Sequence, residues 1–135
     1  MSSTGDVHLD RWAEELGVVI VDTPRLHPRL NACYHHGARR VFVSSRIDGV
    51  TRRCAIAHEL GHAAYGHERA EDEEYTQRQE RQADLAALER LITVEAYRQA
   101  EQAVGHHPSA IAAELRVTPY YVELWRSRHQ RESSA

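Results

Sequence analysis

Apolar positions along the chain follow a helical period in most segments and a strand pattern in a few. Leu9, Trp12, Ala13 and Leu16 recur at helical spacing and predict a short helix over residues 8–16, ended by Gly17, after a frayed tail over residues 1–7. Val18, Val19, Ile20 and Val21 form a compact β-branched run, as expected of a strand. Residues 22–28 hold two prolines and read as a loop. Two more strands are expected over residues 30–34 and 40–44. The turn between them spans residues 35–38, with Gly37 able to take positive φ. Everything downstream has helical spacing.

Cys54, Ile56, Ala57, Leu60, Ala63 and Ala64 leave one buried stripe on a helix over residues 51–65, with Thr51 as its cap and Gly66 as its end. An acidic stretch over residues 67–75 (Glu68, Glu71, Asp72, Glu73, Glu74) reads as a solvated loop. Thr76 with Gln79 forms a capping-box pattern that opens a helix to Leu91. Thr93 opens another that ends near Gly105, and two short helices are expected over residues 109–115 and 119–130. The fold class is therefore α+β: a small antiparallel or mixed sheet of about three strands packed on a helical bundle. Residues 1–135 read as a single domain, with a core over 8–92 and C-terminal helices over 93–135.

Composition narrows the class. The chain is 41% hydrophobic and 27% charged, as globular domains are, and no apolar run is long enough to span a membrane. A polar, acidic N-terminus lacks the pattern of a signal peptide. Cys33 and Cys54 make no disulfide framework and suit a reducing cytoplasm. A net charge of −3 argues against non-specific nucleic-acid binding over the whole surface.

Chemistry enters with His58-Glu59-Leu60-Gly61-His62, an H-E-x-x-H pattern. Two histidines four apart on a helix lie one turn above the other, so both rings reach one ion at about 2.0–2.1 Å. Glu59 is rotated by about 100° from His58 and approaches a water held by the ion without joining its coordination sphere, as a general base must. The ion lowers the pKa of that water toward about 7, and Glu59 takes the proton as the water attacks a carbonyl. Ten histidines raise the rate of chance matches, so the surroundings must support the motif. The support is an apolar, capped helix, a preceding hairpin whose edge can hold an extended peptide, and a third ligand downstream.

Glu80, on the next helix, completes a His₂Glu set that leaves a position for water. Asp84 shares its face and is placed to accept from the free ring nitrogen of a ligating histidine, while Ala83 and Ala87 permit close helix approach. His67 is the rival third ligand, although five residues past His62 a continuous helix points it away. Cys54, one turn before His58, reads as a small buried residue beneath the site. Zinc is the default ion for this donor set; manganese and iron also fit the ligand types. Candidates for stabilising an oxyanion are His106, His107, Tyr65 and Tyr75.

These residues resemble the ImmA/IrrE family of metallo-endopeptidases, over about residues 18–92. The matching stretches are Arg53 to His62, with the H-E-x-x-H motif, and Glu80-Arg81-Gln82-Ala83-Asp84-Leu85-Ala86-Ala87. Ala86 stands where that family has an aromatic, and Thr93 where it has a proline. The resemblance implies a zincin-like minimal peptidase with His58, His62 and Glu80 as ligands and Glu59 as base. It further implies a protein substrate, namely a helix-turn-helix transcriptional repressor encoded nearby in a phage or mobile element and cleaved to relieve repression.

Residues 111–122 carry helix-turn-helix spacing, with Ala112, Val117 and Val122 at its apolar positions and Arg116 where glycine is common. From Pro108 onward there are four arginines and three glutamates, so a basic DNA-reading face is not expected and direct DNA contact is not favoured. Val122, Leu124 and Trp125 read as core residues. The alternative to an active peptidase is a regulatory module with a peptidase-like metal site that binds a repressor or DNA without cutting; an intact Glu59 argues against it. Hydrolysis of a bond other than a peptide bond is a third, weaker reading.

Overall fold

The computed structural model describes residues 4–68 and 73–134, with side chains described through Gln130. The start of the expected tail (Met1 to Ser3) and part of the acidic loop (Arg69 to Asp72) lie outside the described residues. The chain divides into two compact units, Met1–Arg90 and Leu91–Ala135.

In the first unit, helix α1 (Val7–Leu16) buries Leu9, Trp12 and Ala13. Its N-cap is Asp6, whose carboxylate accepts from the His8 and Leu9 amides, and Gly17 ends it in the left-handed conformation. The segment before it is anchored, not frayed, from Thr4 on. The Thr4 amide donates to Asp10 Oδ1 at 2.7 Å, Arg52 donates to the Thr4 carbonyl, and Arg53 pairs with Asp6 at 2.7 Å.

Strands β1 (Val19–Thr23), β2 (Ala32–His35) and β3 (Arg40–Ser44) form a mixed sheet in the order β1-β3-β2. β1 runs parallel to β3 with Val21 opposite Phe42, and β2 runs antiparallel to it with Tyr34 opposite Val41. Val41 and Val43 on the central strand are fully buried. In the β2–β3 turn the positive φ falls on Arg39 (φ 53°) and not on Gly37. The Arg39 guanidinium reaches both the Leu16 carbonyl and the Tyr34 hydroxyl, contacts that help hold this uncommon backbone.

Helix α2 (Gly49–Ala64) starts two residues earlier than its spacing predicts and has Asp48, not Thr51, at its N-cap. It packs against β2, β3 and α1, with Ile56, Ala57 and Leu60 fully buried. Arg52 fastens its first turn to Asp22 at the end of β1. Helix α3 (Glu73–Leu91) also begins earlier than expected, so Thr76 lies within it and not at its start. Glu73 and Glu74 occupy its first turn, where carboxylates suit the helix dipole. Gln79, expected in a capping box, is buried and donates to the Glu68 carbonyl at 3.2 Å.

The second unit comprises α4 (Val94–Val104), α5 (Pro108–Leu115) and α6 (Pro119–Ser134). Thr93 caps α4 through the Ala96 amide, and Gly105 follows it at φ 88°. The turn between α5 and α6 places Arg116 in the left-handed conformation at φ 57°, the position at which glycine is common. Val117, Tyr121 and Val122 are buried, whereas Leu124 and Trp125 are only half-buried, contrary to their expected core role. Trp125 instead stacks between Tyr97 and His129, at ring separations of 3.8 and 3.6 Å. Among the described residues no helix is long and apolar enough to cross a membrane.

Candidate metal centre

Helical spacing alone puts the rings of His58 and His62 on one face of α2, and their centroids are 4.8 Å apart at right angles. α3 supplies the opposite wall. Its approach depends on Gly61, where an added Cβ would sit 2.3 Å from the Ala83 carbonyl oxygen. Ala83 and Ala87, both fully buried, keep the rest of that seam small. So closely apposed, α3 lays the Glu80 carboxylate across both rings, 2.7 Å from His58 Nε2 and 3.2 Å from His62 Nε2. Asp84, one turn on, lies 2.8 Å from His58 Nδ1.

Glu59 is the less exposed of the two glutamates at the centre. Its side chain is 14% exposed, against 51% for Glu80, and the Tyr34 backbone N–H donates to it. One donor atom each from His58, Glu59 and His62 lie within 4.8 Å of one another.

The charges in this cluster set its titration. Burial disfavours a charged Glu59 and the Glu80 carboxylate adds repulsion; His58 and the Tyr34 amide oppose them only partly, and its pKa is pushed up to about 7. Burial also disfavours the charged form of His58, but the Asp84 hydrogen bond and the Glu59, Asp84 and Glu80 charges outweigh it and raise its pKa to about 9. His62 goes the other way, down to about 4. Burial dominates there, with His58 and His67 adding to it and Glu80 opposing.

His67 lies on the Nδ1 side of His62, whereas Glu80 lies against the Nε2 atoms. The chain turns at Gly66 (φ 65°), the His67 amide donates back to the His62 carbonyl, and the ring comes to lie behind His62. There its Nδ1 is 3.0 Å from His62 Nδ1, and its Nε2 is 2.8 Å from Gln82 Oε1. Cys54 is buried on α2 as its position implies.

A cleft of about 860 Å³ opens beside the centre, lined by Glu59, His62 and Glu80 on one side and by Cys33, Tyr34 and His36 on the other. The last three are cleft residues that sequence reasoning missed. A hairpin position says nothing about which strand will lie along α2. Burial and the Glu59 charge raise the Cys33 thiol's pKa. The Tyr34 hydroxyl accepts from Arg39 at 3.2 Å and bonds His36 Nδ1 at 2.8 Å.

The four candidates for oxyanion stabilisation fall in both units. Tyr65 and Tyr75 are largely exposed and do not line this cleft; Tyr65 stacks on His67. In the second unit, His106 pairs with Glu101 at 2.9 Å, and His107 caps α5 through the Ser109 amide.

An α+β fold that presents His-Glu-x-x-His on one helix and a carboxylate from the next defines the class of small metallopeptidases. The family model for Peptidase_M78, the IrrE N-terminal-like domain, matches residues 13–123, and the chain belongs to that family. Among solved structures it is similar to a Mycobacterium tuberculosis transcriptional regulator, with a TM-score of 0.65 at 16% identity. The match covers 90% of this chain and 40% of the regulator, so the chain spans about two fifths of that protein's length. At that identity the likeness is one of fold. No curated protein matches.

Proposed function

We propose that this peptidase-family chain is a zinc-dependent endopeptidase in which His58, His62 and Glu80 hold the metal and Glu59 is the general base. The observation that carries this reading is the Glu80 carboxylate lying against both Nε2 atoms, with Glu59 half-buried beside them and the Nδ1 of His58 backed by Asp84. Two imidazoles and one carboxylate with converging atoms suit zinc and leave room for water; manganese and iron(II) take the same donors. When bound, such an ion supplies Lewis acidity to the water and to the scissile carbonyl.

The protein's own groups do the rest. Asp84 accepts from His58 Nδ1–H and keeps its Nε2 toward the centre. Glu59, beside both histidines, takes a proton from the attacking water and passes it to the leaving amine. The edge strand β2 runs along the cleft, which suits an extended peptide bound by strand addition. Cys33 and Cys54 are thiols, which suits a cytoplasmic setting. For the substrate we favour a helix-turn-helix repressor, cleaved to relieve repression, in keeping with the family. A second reading, a regulator that binds a repressor or DNA without cutting, draws on the likeness to a transcriptional regulator and on the α5–α6 turn.

The test is metal analysis of the purified protein, followed by incubation with the repressor encoded beside it. Glu59→Gln is expected to keep the metal and lose cleavage by about 10²–10⁴-fold, and His58→Ala to lose both. Cleavage by Glu59→Gln at the wild-type rate would overturn the mechanism. An intact repressor, together with an operator gel shift, would favour the second reading.

A further inference from the structure

We infer that His67 and Gln82 form a neutral hydrogen-bonded relay that positions His62 for metal binding, as Asp84 does for His58. The inference rests on the metal-binding reading above. His62 Nδ1 and His67 Nδ1 are 3.0 Å apart, and two such atoms can share only one proton: one donates and the other accepts. If His62 offers the lone pair of Nε2 to an ion, its own proton must sit on Nδ1. His67 Nδ1 is then the acceptor, and a neutral His67 carries its proton on Nε2. That proton is directed at Gln82 Oε1, 2.8 Å away. Every link in the series has the required sign. The reversed setting, with the Gln82 amide nitrogen toward His67, would put the His62 proton on Nε2 and block it as a ligand.

The fold is built for this contact. Gly66, left-handed at φ 65°, folds the chain back so that the His67 ring lies 5.2 Å from that of His62. Tyr65 stacks on the other side of His67 at 5.3 Å, with the planes 11° apart. Gln82 projects from the same helix as Glu80 and Asp84, so one helix supplies a proposed ligand, the outer partner of His58 and the group that fixes His67. The two histidines are nevertheless backed differently. A carboxylate stands behind His58 and a neutral acceptor behind His62, so His62 is oriented without a further negative charge at a centre that already holds Glu59, Glu80 and Asp84.

Histidine-labelled protein loaded with zinc tests this by long-range proton–nitrogen correlation. His67 is expected as the Nε2–H tautomer with an accepting Nδ1; an Nδ1–H tautomer would overturn the inference. In competition titrations with a chelator, His67→Phe and Gln82→Leu should each lower zinc affinity by about 10–100-fold. Gln82→Glu, which keeps an acceptor oxygen in place, should restore most of it. Wild-type affinity in folded His67→Phe or Gln82→Leu would also overturn the relay. Should one variant fail to fold, the other and the wild-type tautomer still decide. Zinc taken up by neither wild type nor variants would instead overturn the metal-site reading, and the relay with it.

Discussion

Gly61 and Ala83 meet so closely that a single methyl group would part them: a Cβ at residue 61 would lie 2.3 Å from the Ala83 carbonyl oxygen and 2.9 Å from its Cα. The obstruction is backbone, which cannot rotate aside as a side chain can. Since Gly61 lies between Glu59 and His62 on α2, and Ala83 lies between Glu80 and Asp84 on α3, this contact sets how far Glu80 stands from the histidine rings.

Gly61→Ala should therefore damage stability and metal uptake together. Overpacking of this kind costs about 1–3 kcal/mol, to be read from urea unfolding of the metal-free protein. Zinc affinity should fall as Glu80 is pushed away. Ala83→Gly should not rescue it, because the clash is with main-chain atoms.

Glu80→Ala separates the two carboxylates that face the centre. Zinc affinity should drop by more than the roughly 10–100-fold expected for an outer partner such as Asp84. In the metal-free protein the pKa of His58 should fall, since Glu80 helps to raise it, and that of Glu59 should fall as well, since Glu80 repels its charge. Titration followed by NMR reads both shifts.

Metal binding should release a proton. His58 is held at about 9 in the metal-free protein, so at neutral pH the metal must displace its proton. Calorimetry in buffers of different ionisation enthalpy should show about one proton released near pH 7.5. Affinity should weaken as pH falls below about 9. The linkage to stability has the opposite sense. A raised histidine pKa stabilises the metal-free fold fully below the ordinary value of 6.5, and that contribution is lost as pH rises through about 9.

Asp6→Ala removes the cap of α1 and the partner of Arg53 in one change. Loss of a cap costs about 0.5–2 kcal/mol, and the ion pair adds a smaller, solvent-screened contribution. Burial alone would raise the Asp6 pKa, but Arg53 and the two amides outweigh it and lower it from 3.8. Asp6 therefore contributes stability above pH 3.8 that is lost as pH falls through its lower folded value. Wild type should lose stability over that acid range, and Asp6→Ala should lose less; urea midpoints against pH would show it.

What could be read from the sequence alone is what neighbouring residues decide among themselves. The four-residue spacing of His58 and His62 puts two rings on one helix face whatever surrounds it. Gly17, Thr93 and Pro119 act within a turn of their own positions, so the C-terminal end of α1 and the starts of α4 and α6 were legible. The helices around the acidic stretch were less so. Thr76 looks like a cap only until Glu73 and Glu74 are seen to occupy the first turn of α3.

The tertiary structure decided the rest, because it depends on contacts between residues far apart in the chain. Nothing local to residues 19–23 announces a parallel partner at residues 40–44, and so nothing announces that β2 is left as an edge strand beside Glu59. The hairpin's positive φ went to Arg39 and not to Gly37, with Arg39 anchored at Leu16 and Tyr34. His67 is five residues past His62, where a continuous helix would carry it off, until the turn at Gly66 brings it behind the ring. The meeting of Gly61 with Ala83 is legible in neither helix by itself, yet it is what brings the Glu80 carboxylate to two histidines one helix away.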